Sequence, residues 1–494
     1  MLRIIFSTAK NGSRTCSDGN VLLHSAYNPE QEAERFVNSI TCSFNPSFIL
    51  ILEPALSYCS SFLRLKYPDK KILAVRYSEA FSFCDNLWDK IFPIYDISVP
   101  FEELLFNELG EEGIFSTLFL SWTPSARAFP DIDNSVWSEI KKAVLKSRDI
   151  LYTRSFFGSR WTSNIFTFCR YLSKTSFPVQ KGTCAIVITA SGPSLSGTLP
   201  LLRKYRRSFF LVAVSSSLSV LLNNHILPDM CISTDGGYYA EAHLMPYENG
   251  RCSVPLALSA ESFCKKKVIA DNTIIPLMYN DGLSASLLPY CGIQGVPAQR
   301  NGTVSGTAAE FALNITTGPV FFCGLDLDSS SGYQHAQPNL LETVASSVDN
   351  HISPKETRIS ASRFSTGALS VYSNWFKSLA PEKTKRLFRL SDHFNFSNTL
   401  GSIKDIDFNF FGENIQENKF PSFMDTLIPT SVESSEREFI KKNKYSDEWL
   451  HSIFPVEYLV FQRSSCQIDS EKRRNILEEK NNALLCRLER ILHE

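Results

Sequence analysis

The stretch GLDLDSSSGYQHA, Gly324 to Ala336, holds two carboxylates two residues apart and a histidine in a loop of small polar residues. Asp326 and Asp328 could share a divalent cation between phosphates. In an extended segment one of them could instead accept hydrogen bonds from ribose hydroxyls or backbone, and that metal-free reading is preferred. His335 could act as a general base, since an imidazole titrating near 6.5 takes a hydroxyl proton at neutral pH. The alternative is an ordinary surface-loop histidine.

A second stretch, KGTCAIVITASGPS from Lys181 to Ser194, reads as a strand, a tight turn and a helix start. The run Cys184 to Thr189 is short and β-branched, the pattern of a parallel strand buried on both faces. Gly192 and Pro193 stop it, Ser194 stands where an N-cap belongs, and Leu199, Leu201 and Leu202 suggest a helix behind it. Free backbone N–H groups at such a turn favour an anion, so a phosphate is expected at Gly192, Pro193 and Ser194. Three further groups join these two. Ser215 to Ser217 end a second strand, Phe209 to Val214, and Asp235, Gly236 and Gly237 follow a third, Met230 to Ser233. Asp235 could hold a ligand hydroxyl or cap a turn. In NGTVSGTAAE, Thr303 or Ser305 can cap a helix, while Gly302 and Gly306 permit close approach of a ligand or of a packed helix.

Positioning these residues requires an open sheet with its polar loops at one edge. Strands at 184–189, 209–214 and 230–233, with further candidates at 256–258, 273–277 and 320–323, alternate with helical stretches, as in a doubly wound α/β domain with ligands at the carboxyl edge. That unit is expected at 179–407. Before it, 1–134 reads as a small α/β domain: a helix starting at Asn28 or Pro29, then strands 48–52 and 72–77 around a crossover helix at 56–65. Its first strand runs into Glu53 and Pro54 instead of a glycine turn, which favours partner docking over nucleotide binding. Trp137, Ile140, Val144 and Leu151 mark linking helices over 135–178. The segment 408–494 is expected to form a mainly helical C-terminal domain.

Composition narrows the class. The 494 residues are 43% hydrophobic and 20% charged, with a formal net charge of −1 from 50 basic and 51 acidic residues, so no global pull toward nucleic acid arises. The cysteine total is 13, odd and without a CxxC pair, which points to reduced thiols instead of a disulfide framework. The N-terminal apolar part is too short for a secretory signal, and no membrane-length apolar window occurs. A cytoplasmic protein is expected.

ASGPSL at 190–195, SSSL with ILPDMCISTDGG at 215–237, GTVSGTAAEFAL at 302–313 and GLDLDSSSGYQHA resemble, in order and rough spacing, the signatures of the motility accessory factor family. HSAYNPEQEAERF at 24–36 is similar to that family's N-terminal domain. The family shares a domain also described as similar to 6-hydroxymethylpterin diphosphokinase (MptE-like). The chain departs from the family at 395–403, which reads NFSNTLGSI where an acidic, glycine-rich element is usual.

The resemblance implies a Rossmann-like, sialyltransferase-like central domain, a GT-A-type variant. It implies a glycosyltransferase that moves a nonulosonic acid from its CMP-activated donor onto Ser or Thr hydroxyls of flagellin. Carried over by motif, Gly192, Pro193 and Ser194 would hold the CMP phosphate, with Ser215 and Ser216 near the nucleotide and Asp235 on ribose or donor sugar. Thr303, Ser305 and Gly306 would line the phosphate and base side, and Asp326 and His335 would face the reaction centre. No cofactor is obligatory, with Mg²⁺ admissible. The alternatives are a Mg²⁺/ATP-dependent pterin diphosphokinase and a non-catalytic flagellin-binding assembly factor.

Overall fold

The computed structural model describes residues 4–19, 21–96, 99–279, 281–301, 303–327, 335–356, 372–373, 375–391, 400–415, 419–428, 433–464 and 470–493. Its contacts divide the chain into two units, Met1–Phe156 with Leu450–Glu479, and Phe157–Trp449 with Lys480–Glu494.

The first unit opens with an antiparallel meander of β1 (Ile4–Thr8), β2 (Arg14–Asp18) and β3 (Val21–Leu22). Asn28 then caps the Pro29–Ser39 helix by accepting the Gln31 N–H, with proline in the first turn as expected. A parallel sheet follows in the order β6 (Lys90–Pro93), β5 (Lys71–Arg76), β4 (Phe48–Leu52), β7 (Thr117–Ser121). The Cys59–Lys66 helix makes the expected crossover from β4 to β5. β4 is buried on both faces. Leu50 and Leu52 pack in one core cluster with Val136 and Ile140, while Ile49 and Ile51 pack in another with Ala33, Val37 and Leu63.

The second unit is built on an eleven-stranded sheet. Its strands are β8 (Lys174–Gln180), β9 (Ala185–Thr189), β10 (Phe209–Val214), β11 (Met230–Ser233), β12 (Leu256–Ser259), β13 (Ile274–Tyr279), β14 (Val296–Ala298), β15 (Val320–Cys323), β16 (Leu387–Leu390), β17 (Lys404–Ile406) and β18 (Ser422–Leu427). The order is β17-β16-β15-β9-β10-β11-β12-β13-β8-β18, with β14 also pairing with β13. All pairs are parallel except β18 against β8. The chain steps outward from β9 to β13, then returns to β15 on the opposite side of β9. The topological switch point, where open α/β sheets take their ligands, therefore lies between β9 and β15. Over these strands the Val304–Ile315 helix buries Ala308, Ala309 and Ala312 in one cluster with Ile186, Ile188 and Val212.

Two domain expectations are corrected. The stretch 135–178 is not a separate linker: one helix, Pro130–Tyr171, contributes to both units, and β8 enters the central sheet. Nor does 408–494 form its own domain. β18 satisfies its backbone groups on β8, and Trp449 is fully buried with its indole N–H on Asn481 Oδ1 at 2.8 Å, while Leu450–Glu479 belong with the N-terminal unit. An amphipathic stripe says that a helix needs a core, not which one.

Candidate functional site

At the switch point two loops cross in contact. Beyond β9, the Ala190 N–H donates to Cys323 O at 2.8 Å and the Gly192 N–H to Gly324 O at 2.8 Å. Gly324 has φ +71°, and a Cβ there would lie 2.6 Å from Ala190 O; one on Gly192 would lie 2.5 Å from both Gly324 O and Asp326 Oδ2. These glycines are demanded by the crossing itself.

Asp326 is 2% exposed. Its Oδ2 accepts the Ser194 N–H at 2.8 Å, and the Ser194 hydroxyl donates to its Oδ1. The chain's own carboxylate therefore occupies the start of the Leu195–Lys204 helix, where a phosphate was expected. A tethered anion already satisfies the donor that a ligand would need. Ser194 is correspondingly not an N-cap: its backbone is helical and its side chain makes no capping bond. Pro193 offers no N–H. Asp328, Gly302 and 395–399 of the divergent segment lie outside the described residues.

His335 stands beside this crossing. The next residue, Ala336, donates its N–H to Ser191 O at 2.7 Å, and Ser216 Oγ donates to Ser191 Oγ at 2.9 Å. Ser215 is buried at the start of the same 3-10 turn. His335 Nδ1 lies 3.3 Å from Glu342 Oε1, with the imidazole 28% and the carboxylate 5% exposed. His243, on the Ala240–Glu248 helix, feels this imidazole as well; burial first, then the His335 charge, push it down to about 4. Neither Glu342 nor His243 was singled out from sequence. The one available signal was the Asn339 cap, which accepts the Leu341 N–H and starts the helix carrying Glu342 seven residues after His335.

A second polar group gathers where β11, β12 and β13 end. Asp235 caps its own turn, Oδ1 accepting the Gly237 N–H at 2.8 Å, and Gly236 is required because a Cβ would meet the Trp161 indole nitrogen. Glu261 is buried with Oε1 accepting from Arg300 Nη2 at 2.9 Å and from the Ser284 hydroxyl at 2.5 Å. Desolvation raises its carboxyl pKa despite the opposing pull of Arg300. Arg300, one-third exposed, lies 4.3 Å over the Tyr279 ring and donates through Nε to exposed Asp281 at 2.8 Å. The sequence reading missed this cationic plane, since an arginine before NGTVSG carries no spacing signal.

Thr303, three residues on, caps the Val304–Ile315 helix through the Gly306 N–H at 2.9 Å, and Ser305 is buried. A Cβ on Gly306 would lie 2.8 Å from Asn301 Cβ and 3.0 Å from Trp375, so helix packing explains this glycine. Thr303→Ala is expected to cost about 1 kcal/mol by loss of the cap; chemical denaturation of the two proteins checks it. The structure thus sorts the expected residues into two clusters. Gly192, Ser194, Ser215, Ser216, Asp326 and His335 meet at the switch point, and Asp235, Thr303, Ser305 and Gly306 belong with Arg300, across β10.

The N-terminal sheet closes its equivalent edge differently. Glu53, Ala55 and Ser57, after β4, all adopt positive φ (36°, 45° and 64°). The loop is filled by the fully buried Arg76 guanidinium, which donates to Glu53 Oε1 at 3.2 Å, Asp85 Oδ1 at 2.8 Å, Ala55 O at 2.8 Å and Ser57 Oγ at 2.7 Å. Glu53, equally buried, accepts the Tyr77 N–H at 2.5 Å.

A parallel sheet whose strand order reverses between β9 and β15, with polar loops at that point, defines the second unit as a doubly wound α/β domain. More particularly, residues 159–332 match the family described as 6-hydroxymethylpterin diphosphokinase MptE-like. A relative described as an uncharacterized protein of Treponema pallidum (strain Nichols) is 30% identical over 310 residues, which is 62% of this chain. The chain spans 66% of that relative's length. Among solved structures, the Maf glycosyltransferase from Magnetospirillum magneticum AMB-1 is similar at 11% identity and a TM-score of 0.49, covering 100% of this chain and 92% of that one. Among the described residues no helix is long and apolar enough to cross a membrane.

Proposed function

We propose that this chain is a glycosyltransferase of the motility accessory factor type, moving a nonulosonic acid from its CMP donor onto Ser or Thr hydroxyls of flagellin in the cytoplasm, in support of flagellar assembly and motility. The observation that carries this reading is His335, held by Glu342 beside the Ser191 turn at the switch point of an MptE-like domain. In the reaction the acceptor oxygen attacks the anomeric carbon, the bond to the CMP phosphate breaks with the electron pair leaving on CMP, and His335 takes the acceptor proton. General base assistance of this kind contributes about 10²- to 10⁴-fold.

Because Asp326 fills the helix start, the proposal assigns it to holding the loops together and directs the nucleoside end of the donor toward Arg300, leaving the phosphate and the anomeric carbon on the His335 side. Asp235 would meet ribose or sugar hydroxyls, Thr303 would line the nucleotide with Ser305 and Gly306 packed behind it, and Ser215 and Ser216 would face the sugar side. The Glu261 and His335 ends of the edge are separated by β10 and β11, or about 14 Å at the usual strand spacing, a span suited to a nucleotide joined to a sugar. One phosphate needs less neutralisation than a diphosphate, so no metal is obligatory.

The family description favours a second reading, pyrophosphoryl transfer from ATP to a pterin alcohol with Mg²⁺ on Asp326 and Asp328. The commitment of Asp326 to Ser194 argues against it, and so does the length of chain outside 159–332, which a small pterin does not require. Calorimetric titration with CMP and with ATP, each with Mg²⁺ and with EDTA, separates the readings. CMP binding that survives EDTA is expected; Mg²⁺-dependent ATP binding alone would turn the assignment to the kinase. Silence toward both would indicate a non-catalytic assembly factor. His335→Ala should keep CMP affinity and lose transfer by 10²-fold or more.

A further inference from the structure

We infer that Glu342 is a positioning residue that fixes His335 in one tautomer, with the proton on Nδ1 and the Nε2 lone pair presented to a hydroxyl-bearing substrate. The inference deepens the transferase reading and rests on it for the substrate's chemical class.

Three observations carry it. Glu342 Oε1 lies 3.3 Å from His335 Nδ1, and the carboxylate is almost wholly buried while the imidazole keeps an exposed side. A buried carboxylate facing Nδ1 favours N–H there and leaves Nε2 as the basic atom on the open side. Second, the segment cannot swing freely, because Ala336 is bonded to Ser191 O and Asn339 caps the helix that carries Glu342. Third, His243 on the neighbouring helix, which also feels His335, is held toward its neutral form by burial first and then by the His335 charge. A proton given up by a bound hydroxyl is therefore accepted at Nε2 of His335. The imidazolium formed there is balanced by Glu342 and meets no second cation at His243. Proton transfer is complete within the pair: the substrate O–H loses its proton to Nε2, and the Nδ1 proton stays shared with Glu342.

The test needs no donor sugar. In the full-length wild-type chain labelled with ¹⁵N-histidine, with His335 assigned by its loss in His335→Asn, the neutral ring is expected as the Nδ1–H tautomer; an Nε2–H tautomer overturns the inference. In Glu342→Gln the amide oxygen can still accept from Nδ1, but the charge is gone, so the His335 pKa is expected to fall by about one unit, tenfold in its proton affinity. An unchanged titration in a folded variant also overturns it. If the variant does not fold, the wild-type tautomer still decides. Where CMP-sugar turnover is measurable, Glu342→Gln should lower kcat 10- to 100-fold with donor KM unchanged and move the acidic limb of the pH profile downward. These outcomes are independent of the CMP titration, so a wrong donor class and a wrong role for Glu342 give different results.

Discussion

Arg76→Met is expected to remove about 3–5 kcal/mol from the N-terminal unit, because it leaves a fully buried Glu53 carboxylate without its counter-charge and takes the Arg76 donor from Ala55 O. On the usual scale for units of this size, the melting step of that unit should fall by roughly 10 °C. The loss should also depend on pH. Burial already raises the Glu53 carboxyl, and Arg76 is the main group pulling it back. Without Arg76 the folded state holds a proton that the unfolded chain releases above about pH 4.3. Stability present below that value is then lost as pH rises toward the elevated folded pKa, so the deficit relative to wild type should widen from pH 4.5 to 7. The double variant Glu53→Gln, Arg76→Met should recover part of the loss. Denaturant unfolding at several pH values checks all three statements, and a pH-independent deficit would refute the electrostatic account.

The second large effect concerns Asp326. Asp326→Ala removes the acceptor for both the backbone N–H and the hydroxyl of Ser194, at about 1 kcal/mol for part-buried donors that lose a partner. It also vacates the start of a ten-residue helix, so a free anion should now bind there. Melting curves in phosphate against chloride at matched ionic strength should show the variant gaining stability from phosphate while wild type does not. Equal responses would mean that Asp326 is not the resident anion of that turn.

Much of the central sheet was legible because its inner strands advertise themselves. Phe209–Val214, Met230–Ile232 and Val320–Cys323 are uninterrupted apolar runs buried along their whole length, and their boundaries follow from where small polar residues begin. β8, β14 and β17 were not legible: KTSFPVQ mixes polar residues and a proline, and VPA and KDI are too short to show a period. The site divides in the same way. Its loop motifs could be read, but the role of Gly192 depends on Gly324 and Asp326, which only the topology brings to it. Glu342, His243 and Arg300 lie in unremarkable local sequence, and only the packing reveals what they face.

The loop crossing at the switch point bears on the order in which the molecule can mature. Ser194 and Asp326 are 132 residues apart, so during synthesis the edge of β9 toward β15 stays unpaired while β10 to β13 are already available on its other side. At ribosomal rates of about 5–20 residues per second that interval lasts on the order of ten seconds. During it, Ser194 has no Asp326 to bind, and His335 has not yet been made. The sheet therefore precedes its own site, and a nascent chain with most of its strands paired remains unable to present His335 at the switch point.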